Sequence, residues 1–134
     1  MISNSWGGTY DSSDDTYDST DFNHPGIFVA SGDCGYNSDD PSCGGGGVDY
    51  PSTSVHAIAV GGTSLTKTSG GRGWTETAWS DGGSSCNTAF TAPSFQNGFV
   101  TSATCAGRAT TDVSAVADPN TGVTVYNKGR AGIV

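Results

Sequence analysis

Two short apolar runs, each ended by a glycine-bearing polar turn, constrain this chain more than any other feature. The first is Gly26-Ile27-Phe28-Val29-Ala30, closed by Ser31-Gly32-Asp33; the second spans residues 55–60 and closes at Gly61-Gly62. Continuous apolar runs of this length, bounded by glycine, suit strands buried on both faces of a parallel sheet. In an open sheet of that kind, ligands gather at the carboxyl ends of the strands, where both polar turns would lie. The expected class is therefore α/β, loop-rich and with few helices. A β-rich secreted domain fits the same pattern.

The remaining segments read as short elements between loops. Residues 2–6 read as a strand leading into Gly7-Gly8. Residues 9–25 read as a polar loop with one helical turn near 18–23, and residues 74–79 as a surface strand. Residues 93–99, with Pro93 at the start, read as a short helix. Residues 112–117 and 123–126 read as two strands split by the turn residues Asp118-Pro119-Asn120-Thr121-Gly122.

Hydrophobic residues make up 34% of the 134 residues, and 21 glycines bring the apolar share into the globular range. The length fits one small domain. The net charge is −8, which repels polyanions and excludes nucleic acid as a partner. Much of that charge lies in the run Asp11, Asp14, Asp15, Asp18 and Asp21. The run reads as a solvated loop; as a calcium loop it lacks the glycine and closing glutamate of an EF-hand.

Four cysteines, Cys34, Cys43, Cys86 and Cys105, form no CxxC pair, so zinc and dithiol redox chemistry are poorly supported. Their even number suits two disulfides and an oxidising compartment. Pairing by proximity joins Cys34 to Cys43 and Cys86 to Cys105, one of three possible connectivities. No run is long and apolar enough to cross a membrane, and the first residues lack the features of a signal peptide. An export signal is expected on a longer precursor.

The tip of the first apolar run carries chemistry-bearing residues. Small residues at Ser31 and Gly32 let a substrate backbone approach, and the Asp33 carboxyl there can act as acid, base or hydrogen-bond donor. An Asp-x-Gly turn cap explains the same residues without any function.

The motifs together resolve that choice. The run SGDCGY from Ser31, the run YPSTSVHAIAVGGTSL from Tyr50, and Ile2-Ser3-Asn4-Ser5-Trp6-Gly7 resemble signature segments of the sedolisin family, serine-carboxyl peptidases of subtilisin-like fold. Ala78-Trp79-Ser80 with residues 85–96, and the strand DVSAVAD from Asp112, resemble further segments of that family, in family order along nearly the whole chain. The resemblance implies an internal fragment of one catalytic domain over residues 1–134, with a partial subtilisin-like parallel sheet. It further implies a secreted, extracellular endopeptidase acting on polypeptide in acid, monomeric in the intact parent, with neither nucleic acid nor membrane as partner.

The resemblance also implies roles. Asp33 matches the aspartate whose carboxyl group completes the oxyanion hole, where ordinary subtilisins carry asparagine. Ser5, Trp6 and Gly7 match a cleft segment that pairs with substrate backbone. Ser31 and Gly32 match the opposite wall of the pocket for the residue before the scissile bond, and Pro51 matches a proline that often follows a cis bond. A carboxyl donates a hydrogen bond only when protonated, so catalysis through Asp33 requires acid or a raised pKa, as in the ketosteroid isomerase precedent.

Other family features have no counterpart in these residues. The nucleophile motif GTSASSP does not occur, and Gly62-Thr63-Ser64 followed by Leu65 is only a superficial likeness. The Glu/Asp pair that activates the nucleophile and the calcium ligands lie outside the matched segments, so no metal or cofactor is expected in this chain. Thr111 stands where the family usually has proline, and residues 128–134 depart from the pattern. The chain by itself is expected to be inactive, with marginal stability or low solubility. A non-catalytic pseudo-peptidase, or a secreted peptide- or glycan-binding domain, is the alternative. His24 and His56 read as an exposed loop residue and a packed or strand-edge residue.

Overall fold

The computed structural model describes residues 1–36 and 49–133. Its centre is a five-stranded sheet built from β1 (Ile2–Asn4), β3 (Ile27–Ala30), β5 (Ile58–Lys67), β6 (Trp74–Ala78) and β9 (Val113–Val116). Strands β1, β3, β5 and β9 run parallel and β6 runs antiparallel. The fold is thus the loop-rich, parallel-sheet α/β arrangement expected. Among the described residues there is one α-helix, α1 (Asp14–Thr20), lying between β1 and β3.

Three small antiparallel ladders surround the sheet: β2 (Gly8–Thr9) with β4 (Asp49–Tyr50), β7 (Ser85–Asn87) with β8 (Arg108–Thr110), and β10 (Thr124–Asn127) with β11 (Arg130–Ile133). Two- and three-residue strands carry no readable period of their own, which is why β2, β4, β7 and β8 escape a pattern reading. The β10–β11 hairpin turns at Lys128-Gly129, both at positive φ. The expected short helix at 93–99 is a single 3-10 turn at Ser94–Gln96, preceded by Pro93.

Strand β5 departs most from expectation, because Gly61 and Gly62 continue it rather than end it. These glycines are required by close packing, not by a turn. A Cβ on Gly61 would lie 2.7 Å from the Thr111 side chain, and one on Gly62 2.7 Å from the Trp79 ring. The strand therefore runs ten residues, holding β3 over 58–60, β9 over 60–63 and β6 over 63–67.

Strand β3 is buried on one face only. Ile27 and Val29 are buried, Phe28 is half-buried and Ala30 is exposed. The buried face meets Phe22, Tyr50 and Ala57, with Tyr10 and Phe90 packed on the edge. On the other face the described residues leave a depression instead of a covering element. The helix sits earlier than expected, starting at Asp14, and it draws Asp18 into the interior at 5% exposure rather than leaving it solvated. There Asp18 lies 3.8 Å from the His56 ring, which precedes β5 and is not within it. His24 is exposed, as read from the sequence.

Cys86 and Cys105 are disulfide-bonded, closing the loop that holds the 3-10 turn. The other expected pairing involves Cys43, which lies outside the described residues. The acidic run does not gather: among the described residues no group of three His, Cys, Asp or Glu side chains could hold a metal ion.

Candidate active-site cleft

The parallel strands β1 and β3 end side by side, because Ile2 pairs with Ile27 and Asn4 with Val29. Their two polar exits, Ser5-Trp6-Gly7 and Ser31-Gly32-Asp33, therefore emerge at the same edge of the sheet. Between them opens a cavity of about 390 Å³ whose lining includes Ser5, Trp6, Gly7, Gly32 and Asp33. A second cavity of about 220 Å³ adjoins it on the open sheet face and shares Ser5, Gly32 and Asp33. Asp33 thus stands at the junction of both, with an exposed carboxyl.

Gly32 has φ of +102°, a conformation that side chains rarely adopt. Its Cβ would also lie 2.6 Å from the Asp49 carboxylate, so the position admits only glycine on two counts. The turn is fixed from below by hydrogen bonds. Ser31 N–H donates to Val60 O at 2.9 Å, and Gly83 N–H donates to Gly32 O at 2.7 Å.

Ser31 itself does not face the cleft. Its side chain is buried, its hydroxyl donates to Gly83 O at 2.5 Å, and the Thr111 hydroxyl lies 3.1 Å away. It lines neither cavity. Its hydroxyl thus anchors the turn to Gly83, beneath the pocket wall expected at Ser31 and Gly32.

Trp6 is 60% exposed and leans over the cavity edge. Gly7 is held against β4, where a Cβ would meet Tyr50 O at 3.2 Å. The Tyr50–Pro51 peptide is cis, as the family resemblance leads one to expect, and so is Thr110–Thr111. Tyr50 is buried, and burial together with the charge of Asp18 raises the pKa of its phenol well above the usual range.

Sequence reasoning passed over Asp49 and Ser52, both of which line the larger cavity. Asp49 comes from β4, beyond the residues that lie outside the description. Its only sequence signal is its place directly before Tyr50-Pro51. Burial raises its pKa above the ordinary carboxylate value. Ser64 lies elsewhere: its hydroxyl donates to Asp118 at 2.6 Å, and it lines neither cavity.

No family model matches the sequence, and no curated protein matches it. A search of solved structures does find a relative in fold. A structure of Pseudomonas sedolisin, a serine-carboxyl proteinase complexed with two molecules of pseudo-iodotyrostatin, matches with a TM-score of 0.74 and 27% sequence identity. The match covers 99% of this chain and 42% of that one, so the chain spans less than half the length of its structural neighbour. Over nearly its entire length, then, this chain is sedolisin-like: it has the fold of the matched part of that enzyme.

Proposed function

We propose that residues 1–134 form part of the catalytic domain of an exported serine-carboxyl endopeptidase. In this reading the chain supplies the peptide-binding cleft and one oxyanion-hole donor, and it does not hydrolyse peptides by itself. The observation that carries the reading is the convergence of Asp33 with Ser5, Trp6 and Gly7 on one cavity at the carboxyl ends of parallel strands. The disulfide between Cys86 and Cys105 supports an oxidising destination.

The chemistry follows from the donor inventory. A polypeptide lies extended along the Ser5-Trp6-Gly7 edge. Negative charge develops on the carbonyl oxygen under attack, and the protonated Asp33 carboxyl donates a hydrogen bond to it. Ionised Asp33 would repel that oxygen, which restricts activity to acid. Removing one such donor from a serine peptidase costs about 10²–10³ in rate.

The test uses the 134-residue chain. Incubation with denatured protein near pH 4 leaves the substrate intact, whereas cleavage abolished by Ser64→Ala would overturn this account. A labelled peptide with a free C-terminal carboxylate places an anionic oxygen beside Asp33. It binds more tightly as pH falls, and Asp33→Asn flattens that dependence. Peptide binding with the same pH profile in both proteins would refute the role of Asp33. Saturable binding of peptides without any turnover after the nucleophile-bearing remainder is supplied would favour the pseudo-peptidase alternative.

A further inference from the structure

Among the described residues, one peptide bond carries the groups needed to break it. Asp118 is followed by Pro119, and an aspartyl–prolyl bond is unusually labile in acid. The chemistry is intramolecular. The ionised carboxylate attacks its own carbonyl carbon and forms a C–O bond. The C–N bond breaks as the proline nitrogen, a tertiary amide with no N–H, takes a proton from the acid. A five-membered cyclic anhydride remains on residue 118, and water opens it to two carboxyl groups. The products would be residues 1–118 and 119–134.

The fold restrains both halves of that reaction. Asp118 is 9% exposed. Its Oδ2 accepts a hydrogen bond from the Ser64 hydroxyl at 2.6 Å. Its Oδ1 accepts from Asn120 N–H at 2.8 Å and from Asn120 Nδ2 at 3.0 Å. The carbonyl that would be attacked, Asp118 O, accepts from Thr121 N–H at 3.0 Å. Thr121 is tied to β5 in turn, because its hydroxyl accepts from Leu65 N–H at 3.0 Å. To reach its own carbonyl carbon the carboxylate must give up the bonds from Ser64 and Asn120. Hydrogen bonds to a charged group are among the stronger ones in a protein, and groups held out of attacking geometry react slowly. Ser64 first, and then Asn120 N–H, hold the carboxyl below its usual pKa, so the contacts persist into acid.

The hairpin β10–β11 lies beyond this bond, and its strands pair only with each other among the described residues. A cut after Asp118 removes its covalent tie to the central sheet. We infer that Asp118–Pro119 is a latent acid self-cleavage site, kept closed by Ser64 and Asn120 while the turn is folded. No step of it uses Asp33 or the cleft, so it stands whether or not the peptidase reading does.

The test is release of residues 119–134, read by mass spectrometry. The 134-residue chain and a synthetic peptide of residues 114–123 are incubated together, at the lowest pH at which circular dichroism shows the chain folded. Release has its own mass, so cleavage at Asp40–Pro41, which lies outside the described residues, does not disturb the reading. The folded chain is cut about tenfold or more slowly than the peptide, the scale of hydrogen bonds to a charged group. The same chain in urea is cut at the peptide's rate. Ser64→Ala and Asn120→Ala, each while still folded, move the rate toward that of the peptide. Ile27→Val, which weakens the core at β3 without touching the turn, keeps the slow rate. A folded chain cut as fast as the peptide overturns the inference. So does a rate that neither turn variant changes, or one that Ile27→Val raises as much as they do.

Discussion

Replacing Asp112 by asparagine removes one charge from the most enclosed ion pair among the described residues. Arg108 is fully buried and Asp112 nearly so, at 0% and 7% side-chain exposure. The guanidinium donates to both Asp112 oxygens, through Nη1 at 2.7 Å and Nη2 at 2.5 Å. It also donates to Ser54 O at 3.2 Å and Ala57 O at 3.3 Å, and it stacks 5.6 Å from the centre of the Phe95 ring. Asp112 accepts two more bonds, from Ala59 N–H at 2.8 Å and from the Gln96 amide at 3.0 Å.

Each carboxylate oxygen therefore faces two donors: Arg108 Nη1 with Gln96 on Oδ1, and Arg108 Nη2 with Ala59 on Oδ2. An asparagine NH₂ group opposes two donors whichever way it is turned, and the buried guanidinium loses its counter-charge. Removing one partner of a buried pair costs about 3–5 kcal/mol. With a urea slope of about 2 kcal/mol/M, mid-range for small proteins, the midpoint falls by about 2 M. That is a large share of the roughly 5–15 kcal/mol that holds a domain folded. Urea unfolding followed by tryptophan fluorescence reads the shift. A loss below about 0.5 kcal/mol, smaller than that of most core substitutions, would refute this accounting. The double variant Arg108→Met with Asp112→Leu takes away the Ala59 amide's acceptor and the donor to the Ser54 and Ala57 carbonyls but leaves no buried charge, so it should be more stable than Asp112→Asn.

Two further outcomes follow from local geometry. Replacing Cys86 and Cys105 together by serine opens a loop of sequence separation 19, and the chain-entropy relation sets the loss near 3 kcal/mol, read as a lower thermal midpoint. The Ser64 hydroxyl, and then the Asn120 N–H, hold the Asp118 carboxyl below its usual pKa. Its contribution to stability is complete above the unfolded value of 3.8 and is lost as pH falls through the depressed folded value. Ser64→Ala should flatten the acid limb of the stability profile below pH 3.8, and an unchanged profile would contradict the assignment.

What the order of residues determined by itself was the sheet's outline and the family likeness. The apolar runs at 26–30 and 55–60 could lower their free energy only by burial, and glycine and polar residues after them had to emerge at a strand end. That is why Asp33 could be set at a strand end before any geometry, while Ser5 to Gly7 were named through the family resemblance; the structure brings them to one cavity. Proximity offered Cys86 with Cys105 in one of three connectivities, and the fold joins them.

Tertiary packing decided the rest, since it depends on which distant residues share a space. Gly61 and Gly62 look like a strand end in one dimension, yet they lie inside β5 because Thr111 and Trp79 press against them. Ser31 looks like a cleft residue, yet Gly83 and Thr111 claim its hydroxyl from 52 and 80 positions away. Asp49 joins the cavity only because β4 pairs with β2 and sets its carboxylate against Gly32. Periodicity reports which face of a strand is apolar; it carries no record of which side chains meet across the sheet, and the walls of this cleft are made of such meetings.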